Sequence, residues 1–239
     1  MGLDEELKAY YNAEAIGGHR VEHGAMRHGL RKRFRDLLRV ETCRSLVDVG
    51  AGPGLDTLLW NNDGFDVVGV DLGPENCRTM AAKRLLAVNA SLYDLPFVDA
   101  VFDALWTMRT FVHVPPERVG DALRELFRVV KPGGPIAIGT WGGRDFAGYP
   151  EFGEIRPFRY FSLQTDDRWL ASLEAECSVD SFETISPNGD DAWKYQFAIV
   201  RTRPASCPAA DEPPDEPSRR ARVRCIVDDD RDLLDRLVK

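Results

Sequence analysis

No run of apolar residues in this sequence approaches the roughly 20 needed to cross a bilayer. The first residues, MGLDEELKAYY, are acidic where a secretory signal needs an apolar stretch. Cysteine is sparse and scattered, at positions 43, 77, 177, 207 and 225, with no C-x-x-C pair. An odd, unclustered set without a signal reads as reduced thiols in a cytosol. The sequon Asn89-Ala90-Ser91 is then without consequence. Positive charge is also in deficit: 31 Lys and Arg against 39 Asp and Glu leave a net −8. That argues against a protein that coats DNA or RNA, which carries a basic face. There is no internal repeat. These absences lead to the expectation of a cytoplasmic protein with no membrane partner, and they weigh against nucleic acid as a substrate.

What is present suffices for one good-sized core: 239 residues, 44% of them apolar. Residues 1–44 read as helical, with Leu7, Tyr10 and Tyr11 at near-helical spacing. A second amphipathic segment over 24–40 carries Leu30, Phe34, Leu37 and Leu38. From Ser45 short apolar strands alternate with helices. Strands are expected at SLVDV, DVVGV, 86–89, 101–107 and GGPIAIGTW, and helices at 54–62, 74–84, 116–130 and 163–175. Such alternation predicts a parallel sheet with helices on both faces. SVDSFETI and WKYQFAIV are separated by too few residues for a helical crossover, so they should pair antiparallel. From Pro204 the composition breaks into a Pro- and acid-rich linker (204–218) and a short tail (219–239), which leaves 1–203 as the folded domain.

The stretch SLVDVGAGPGLDT places Gly50, Gly52 and Gly54 at alternate positions after the first strand. A dinucleotide site wants G-x-G-x-x-G with a pyrophosphate on the helix N-terminus. Here Leu55 stands where the third glycine of that pattern would be, Pro53 removes an amide donor, and Asp56 puts a negative charge in the first helical turn. A neutral or cationic ligand suits such a loop better than a pyrophosphate. Asp71 ends the second strand about 20 residues after Gly50, where an acid can accept from both ribose hydroxyls.

VDVGAGPG, Asp71, LPFVDAVFDALW and LRELFRVVKPGGPIAIGTW resemble the successive motifs of class I S-adenosylmethionine-dependent methyltransferases. The resemblance spans about residues 10–200. It implies a Rossmann-like, doubly wound α/β sheet of seven strands, mostly parallel with an antiparallel last strand, covered by an N-terminal helical lid. It also implies S-adenosyl-L-methionine as cofactor. Asp48 and the loop residues Gly50, Ala51, Gly52 and Gly54 would approach the methionine and ribose portions. Asp71 would take the ribose diol, Leu72 would line the adenine pocket, and Ser91 and Leu92 would meet the adenine edge. Trp106, Thr107 and Met108 would back the methionine arm, and Tyr11 and Arg20 of the lid are the candidates for its carboxylate.

For the chemistry, His113 follows the fourth strand on the side expected to face the methyl group, and imidazole is the usual general base near neutrality. Arg109 is a candidate for an anionic substrate. His19, Glu22 and His23 have the spacing of a metal pair without a third ligand, and no metal is expected. The segment 142–164, rich in Phe, Tyr, Gly and Arg, reads as a substrate wall, with a packing flap or a homodimer surface as the alternative. The expected function is methyl transfer to a small-molecule acceptor. The alternative is a non-catalytic binding or assembly module that keeps the fold.

Overall fold

The computed structural model describes residues 2–17, 24–151, 158–186 and 193–202. Two helices, α1 (Leu3–Ile16) and α2 (Ala25–Val40), precede the sheet. There follow β1 (Ser45–Val49), α3 (Leu55–Asn62), β2 (Asp66–Asp71), α4 (Pro74–Ala82), β3 (Leu86–Asn89) and β4 (Ala104–Met108). The second half contains α5 (Val119–Val129), β5 (Pro135–Gly142), β6 (Phe146–Gly148), β7 (Phe161–Leu163), α6 (Asp166–Glu176), β8 (Ser178–Ile185) and β9 (Lys194–Arg201).

Seven strands form one sheet in the order β3-β2-β1-β4-β5-β9-β8. The pairs β1–β2, β1–β4, β2–β3 and β4–β5 are parallel. β9 is antiparallel to both β5 and β8, inserted between them by the short hairpin that the sequence called for. The strand order reverses at β1 and β4, and in open α/β sheets a ligand sits beyond the carboxyl ends of the strands at that reversal.

One core face packs α5 and α6 against the sheet through Leu123, Leu126, Trp169 and Leu173, and the other packs α2 and α3 through Phe34, Leu38, Trp60 and Trp106. The indole of Trp106 stacks on Phe34 and meets Trp60 edge-on. Beneath them Asp56 is buried and accepts from Arg27 Nε at 2.6 Å and Trp106 Nε1 at 2.8 Å. The acid read as a helix-dipole charge therefore ties α2, α3 and β4 together.

Three of the boundaries that differ from expectation have a visible cause. α6 starts at Asp166 rather than 163, because the Thr165 hydroxyl caps it by accepting from the Arg168 amide, and Phe161–Leu163 pairs with Phe146–Gly148 in a small separate sheet. β4 starts at Ala104 rather than 101, since Phe102 instead bridges to Val130 at the end of α5. The helix expected over 116–130 opens with a 3-10 turn, Pro116–Arg118, and turns α-helical at Val119. The linker and tail at 204–239, together with Arg20, His19, Glu22 and His23, lie outside the described residues.

Candidate functional site

The loop after β1 shows why glycine recurs. Gly50, Gly52 and Gly54 have φ of +77°, +58° and +77°, a region costly for residues that carry a Cβ. A Cβ on Gly50 would lie 2.0 Å from Thr110 Oγ1, and one on Gly54 would lie 2.5 Å from Met80 Cγ. Every amide the loop has is already spent. Gly50 and Ala51 donate to the Val70 carbonyl, Gly52 to Asp71 Oδ2 at 2.8 Å, and Gly54 to the Ala51 carbonyl. With Pro53 lacking a donor, none remains for a pyrophosphate. The loop holds itself and Asp71 in place, and leaves Gly50 as a flat wall.

A cleft of about 710 Å³, open to solvent at its mouth, lies at the carboxyl ends of β1, β2, β3 and β4. Val49 and Gly50 come from β1 and its loop, Asp71 and Leu72 from β2, Ser91, Leu92 and Tyr93 from beyond β3, and Met108, Arg109, Thr110 and His113 from beyond β4. Asp4, Leu7 and Tyr11 of α1 close it from above. Of the site candidates named from the sequence, Tyr11, Gly50, Asp71, Leu72, Ser91, Leu92, Met108 and Arg109 line the cleft together with His113. Asp48, Ala51, Gly52, Gly54, Trp106 and Thr107 lie behind this lining.

At one end, Asp71 is only 8% exposed yet reaches the cleft. Its Oδ1 accepts from the Gly73 amide at 2.8 Å and Asn76 Nδ2 at 3.0 Å, and its Oδ2 accepts from Gly52. These bonds fix the carboxylate rigidly. Beside it, Ser91 donates to Asp4 Oδ2 at 2.9 Å, so the lid helix brings an acid to the segment where the chain itself has serine.

At the other end, His113 stands on a 3-10 turn, Phe111–His113, after β4. Its Nδ1 lies 2.7 Å from the Tyr160 carbonyl and its Nε2 lies 2.5 Å from the Tyr11 hydroxyl. A carbonyl only accepts, so Nδ1 carries a hydrogen, and in the neutral ring Nε2 accepts a hydrogen bond from the Tyr11 hydroxyl. The imidazole also packs edge-on against Phe161 of β7. Arg109 next to it has φ +65°, unusual for a side chain with Cβ, and its amide donates to the Gly139 carbonyl at 2.6 Å.

Behind the loop, Asp48 is 1% exposed. Its Oδ2 accepts from the Thr57 hydroxyl at 2.6 Å, while its Oδ1 is buried without a hydrogen-bond partner. Burial first, and then the neighbouring Asp56 charge, push its pKa up to about 7. Thr107 is likewise buried, its hydroxyl without a partner, and Trp106 is enclosed in the core.

The lid is held by side chains. Asn12 Oδ1 accepts from the Glu75 amide at 3.1 Å and so caps the N-terminus of α4, which has no cap of its own. Tyr149 donates to Glu6 at 2.7 Å, and Arg159 donates to the Tyr10 hydroxyl. Of these residues only Tyr10, as a helix position, was named from the sequence; Asn12, Glu75, Tyr149, Glu6 and Arg159 were not.

Residues 47–138 match the family described as "Methyltransferase domain". These residues carry a methyltransferase domain. Similar curated proteins include a chloroplastic tocopherol O-methyltransferase from Arabidopsis thaliana, 34% identical over 151 residues, which are 59% of this chain and 42% of that protein. A 2-methyl-6-phytyl-1,4-hydroquinone methyltransferase from Synechocystis is 31% identical over 153 residues, 61% of this chain and 46% of that one. The chain thus spans less than half the length of these relatives. Among solved structures, the 1,6-didemethyltoxoflavin-N1-methyltransferase of Burkholderia thailandensis shares the fold at a TM-score of 0.62 and 19% identity, over 85% of this chain and 92% of that one. The [4+2]-cyclase SpnF shares it at 0.64 and 18% identity, over 84% and 97%.

Proposed function

We propose that this methyltransferase domain binds S-adenosyl-L-methionine along the cleft from Asp71 to His113 and methylates a small-molecule acceptor. The reading is carried by the arrangement of the cleft. A rigid carboxylate is fixed at one end, a glycine wall without spare amides lies in the middle, and an imidazole with a free-base nitrogen stands at the other. The residues fit the cofactor. Gly50 presents bare backbone to the cleft, and Asp48 offers a buried carboxylate oxygen that no described residue satisfies.

In this assignment Asp71 accepts from the ribose hydroxyls, with Leu72 and Leu92 against the base. Asp4 and Ser91 together meet the adenine amino group, the acid coming from the lid. Asp48 faces the amine side of the methionine arm, and Trp106 and Thr107 support the floor under Met108. The cofactor supplies a methyl carbon already activated by its sulfonium. The chain aligns the acceptor, excludes water with α1, and takes a proton. His113 does the last: Nδ1–H held by the Tyr160 carbonyl keeps the ring oriented, and Nε2 accepts the proton that leaves the acceptor's oxygen or nitrogen. Tyr11 occupies Nε2 until the acceptor displaces it, so the same hydroxyl latches the lid.

Calorimetric titration with S-adenosylmethionine and S-adenosylhomocysteine tests this. Micromolar binding that Asp71→Asn loses by 10-fold or more is expected. A well-folded protein that binds neither would end the proposal. A second reading draws on the cyclase among the solved neighbours, because a fold does not fix an activity. A module that keeps the cofactor site without methylating would bind both ligands and release no S-adenosylhomocysteine with any acceptor.

A further inference from the structure

Arg159 lies two residues before β7, and its guanidinium is half-buried beside the lid. Its Cζ stands 4.6 Å from the ring centre of Tyr10, 5.0 Å from that of Phe161 and 5.8 Å from that of Tyr11. Nη1 donates to the Tyr10 hydroxyl. Nε is shielded from solvent and has no hydrogen-bond partner. Among the described residues no carboxylate pairs with Arg159, whereas Arg27, Arg31, Arg124, Arg128 and Arg201 each face an acid. Three aromatic faces attract the cation and strip part of its water, but they do not neutralise it. A buried donor without a partner calls for an explanation.

The unused edge of the guanidinium is the one formed by Nε and Nη2. That edge grips a planar carboxylate through two parallel N–H···O bonds. Its position relative to the chemistry is set by one ring: Tyr11, under the guanidinium, places its hydroxyl on His113 Nε2. We propose that Arg159 holds the carboxylate of an organic-acid acceptor and so directs the acceptor's nucleophile toward His113. A single guanidinium among rings balances one charge, which suits a carboxylate better than a phosphate dianion. The surrounding tyrosines and phenylalanine suit an acceptor with a flat, apolar body. This inference rests on the methyl-transfer reading for what happens next, but the acid site itself is testable without turnover.

The test uses the full chain and paired aromatic probes: 4-hydroxybenzoate and 3,4-dihydroxybenzoate against their carboxamides, with 4-hydroxyphenyl phosphate as a third arm. Affinities are measured by calorimetry with and without S-adenosylhomocysteine, and turnover by release of S-adenosylhomocysteine. The acids should bind at least 10-fold tighter than the amides. Arg159→Gln should remove that preference and Arg159→Lys should keep part of it. A purely structural Arg159, acting only through Tyr10 and the lid, would weaken acids and amides alike, and that outcome overturns the proposal. So does equal binding of acids and amides by the unaltered protein, or no binding of any acid. Preferential binding of the phosphate ester overturns the carboxylate assignment. If S-adenosylhomocysteine itself fails to bind, the methyl-transfer reading falls, while the titrations on cofactor-free protein still decide the role of Arg159.

Discussion

Gly50→Ala is the substitution whose cost the structure specifies best. Gly50 has φ +77°, so an alanine there carries roughly 1–2 kcal/mol of left-handed backbone strain. Its Cβ would lie 2.0 Å from Thr110 Oγ1, with Thr110 Cβ and Cγ2 at 3.1 and 3.2 Å. Thr110 cannot swing away freely, since its hydroxyl donates to the Val49 carbonyl at 3.1 Å. Overpacking of this kind costs about 1–3 kcal/mol. The total expected loss is about 2–5 kcal/mol in urea unfolding, accompanied by at least 10-fold weaker binding of S-adenosylmethionine, because Gly50 and Thr110 both line the cleft. The two contributions separate in a double-mutant cycle. Thr110→Ala removes the clashing oxygen and methyl but not the strain, so Gly50→Ala should cost about 1–3 kcal/mol less in that background. Additivity within about 0.5 kcal/mol, or a single variant as stable as the parent, would refute the account of the loop.

Other substitutions probe the remaining parts of the site. His113→Gln should lower the turnover rate by about 10²–10⁴-fold with acceptors that lose a proton, with cofactor affinity nearly unchanged. Tyr11→Phe removes one lid bond, worth roughly 0.5–1.5 kcal/mol, and should weaken cofactor binding about 2–10-fold while the saturated rate changes less. Asp48 gives a pH signature. Its folded pKa of about 7 lies above the ordinary carboxylate value, so the folded state holds the proton more tightly and stability falls as pH rises from about 4 to about 7. Asp48→Asn should flatten that slope in denaturation curves recorded across the window, and an unchanged slope would show that Asp48 does not titrate there. Asp56→Ala leaves Arg27 and the Trp106 indole without their shared acceptor and should cost about 3–5 kcal/mol, a loss readable in thermal unfolding.

The sheet and the glycine loop were legible because their signals are local. Strand–turn–helix periodicity, three alternate glycines and an acid at the end of the next strand all fall within 27 residues of chain, from Ser45 to Asp71. The contacts that close the cleft were not legible, because they join distant positions. Asp4 meets Ser91, Asn12 caps α4 through Glu75, and Arg159 meets Tyr10, separations of 87, 63 and 149 residues. Nor does any spacing rule show that Asp56 serves Arg27 and Trp106 rather than the helix dipole. The small sheet of β6 and β7 escaped notice because three-residue strands in a Gly- and Phe-rich segment leave no period to read. Thr165 and Asp166 did carry a helix-start signal, which places α6 correctly once it is weighed above the apolar residues before it.

The claim that one cleft joins a ribose-binding acid to a proton-accepting imidazole is tested most directly by a crystal structure of the full chain with S-adenosylhomocysteine. The expected result is a ribose within hydrogen-bond distance of the Asp71 carboxylate and a sulfur on the His113 side, beneath α1. A ligand bound elsewhere, or lying in the cleft with its ribose away from Asp71, would contradict the account.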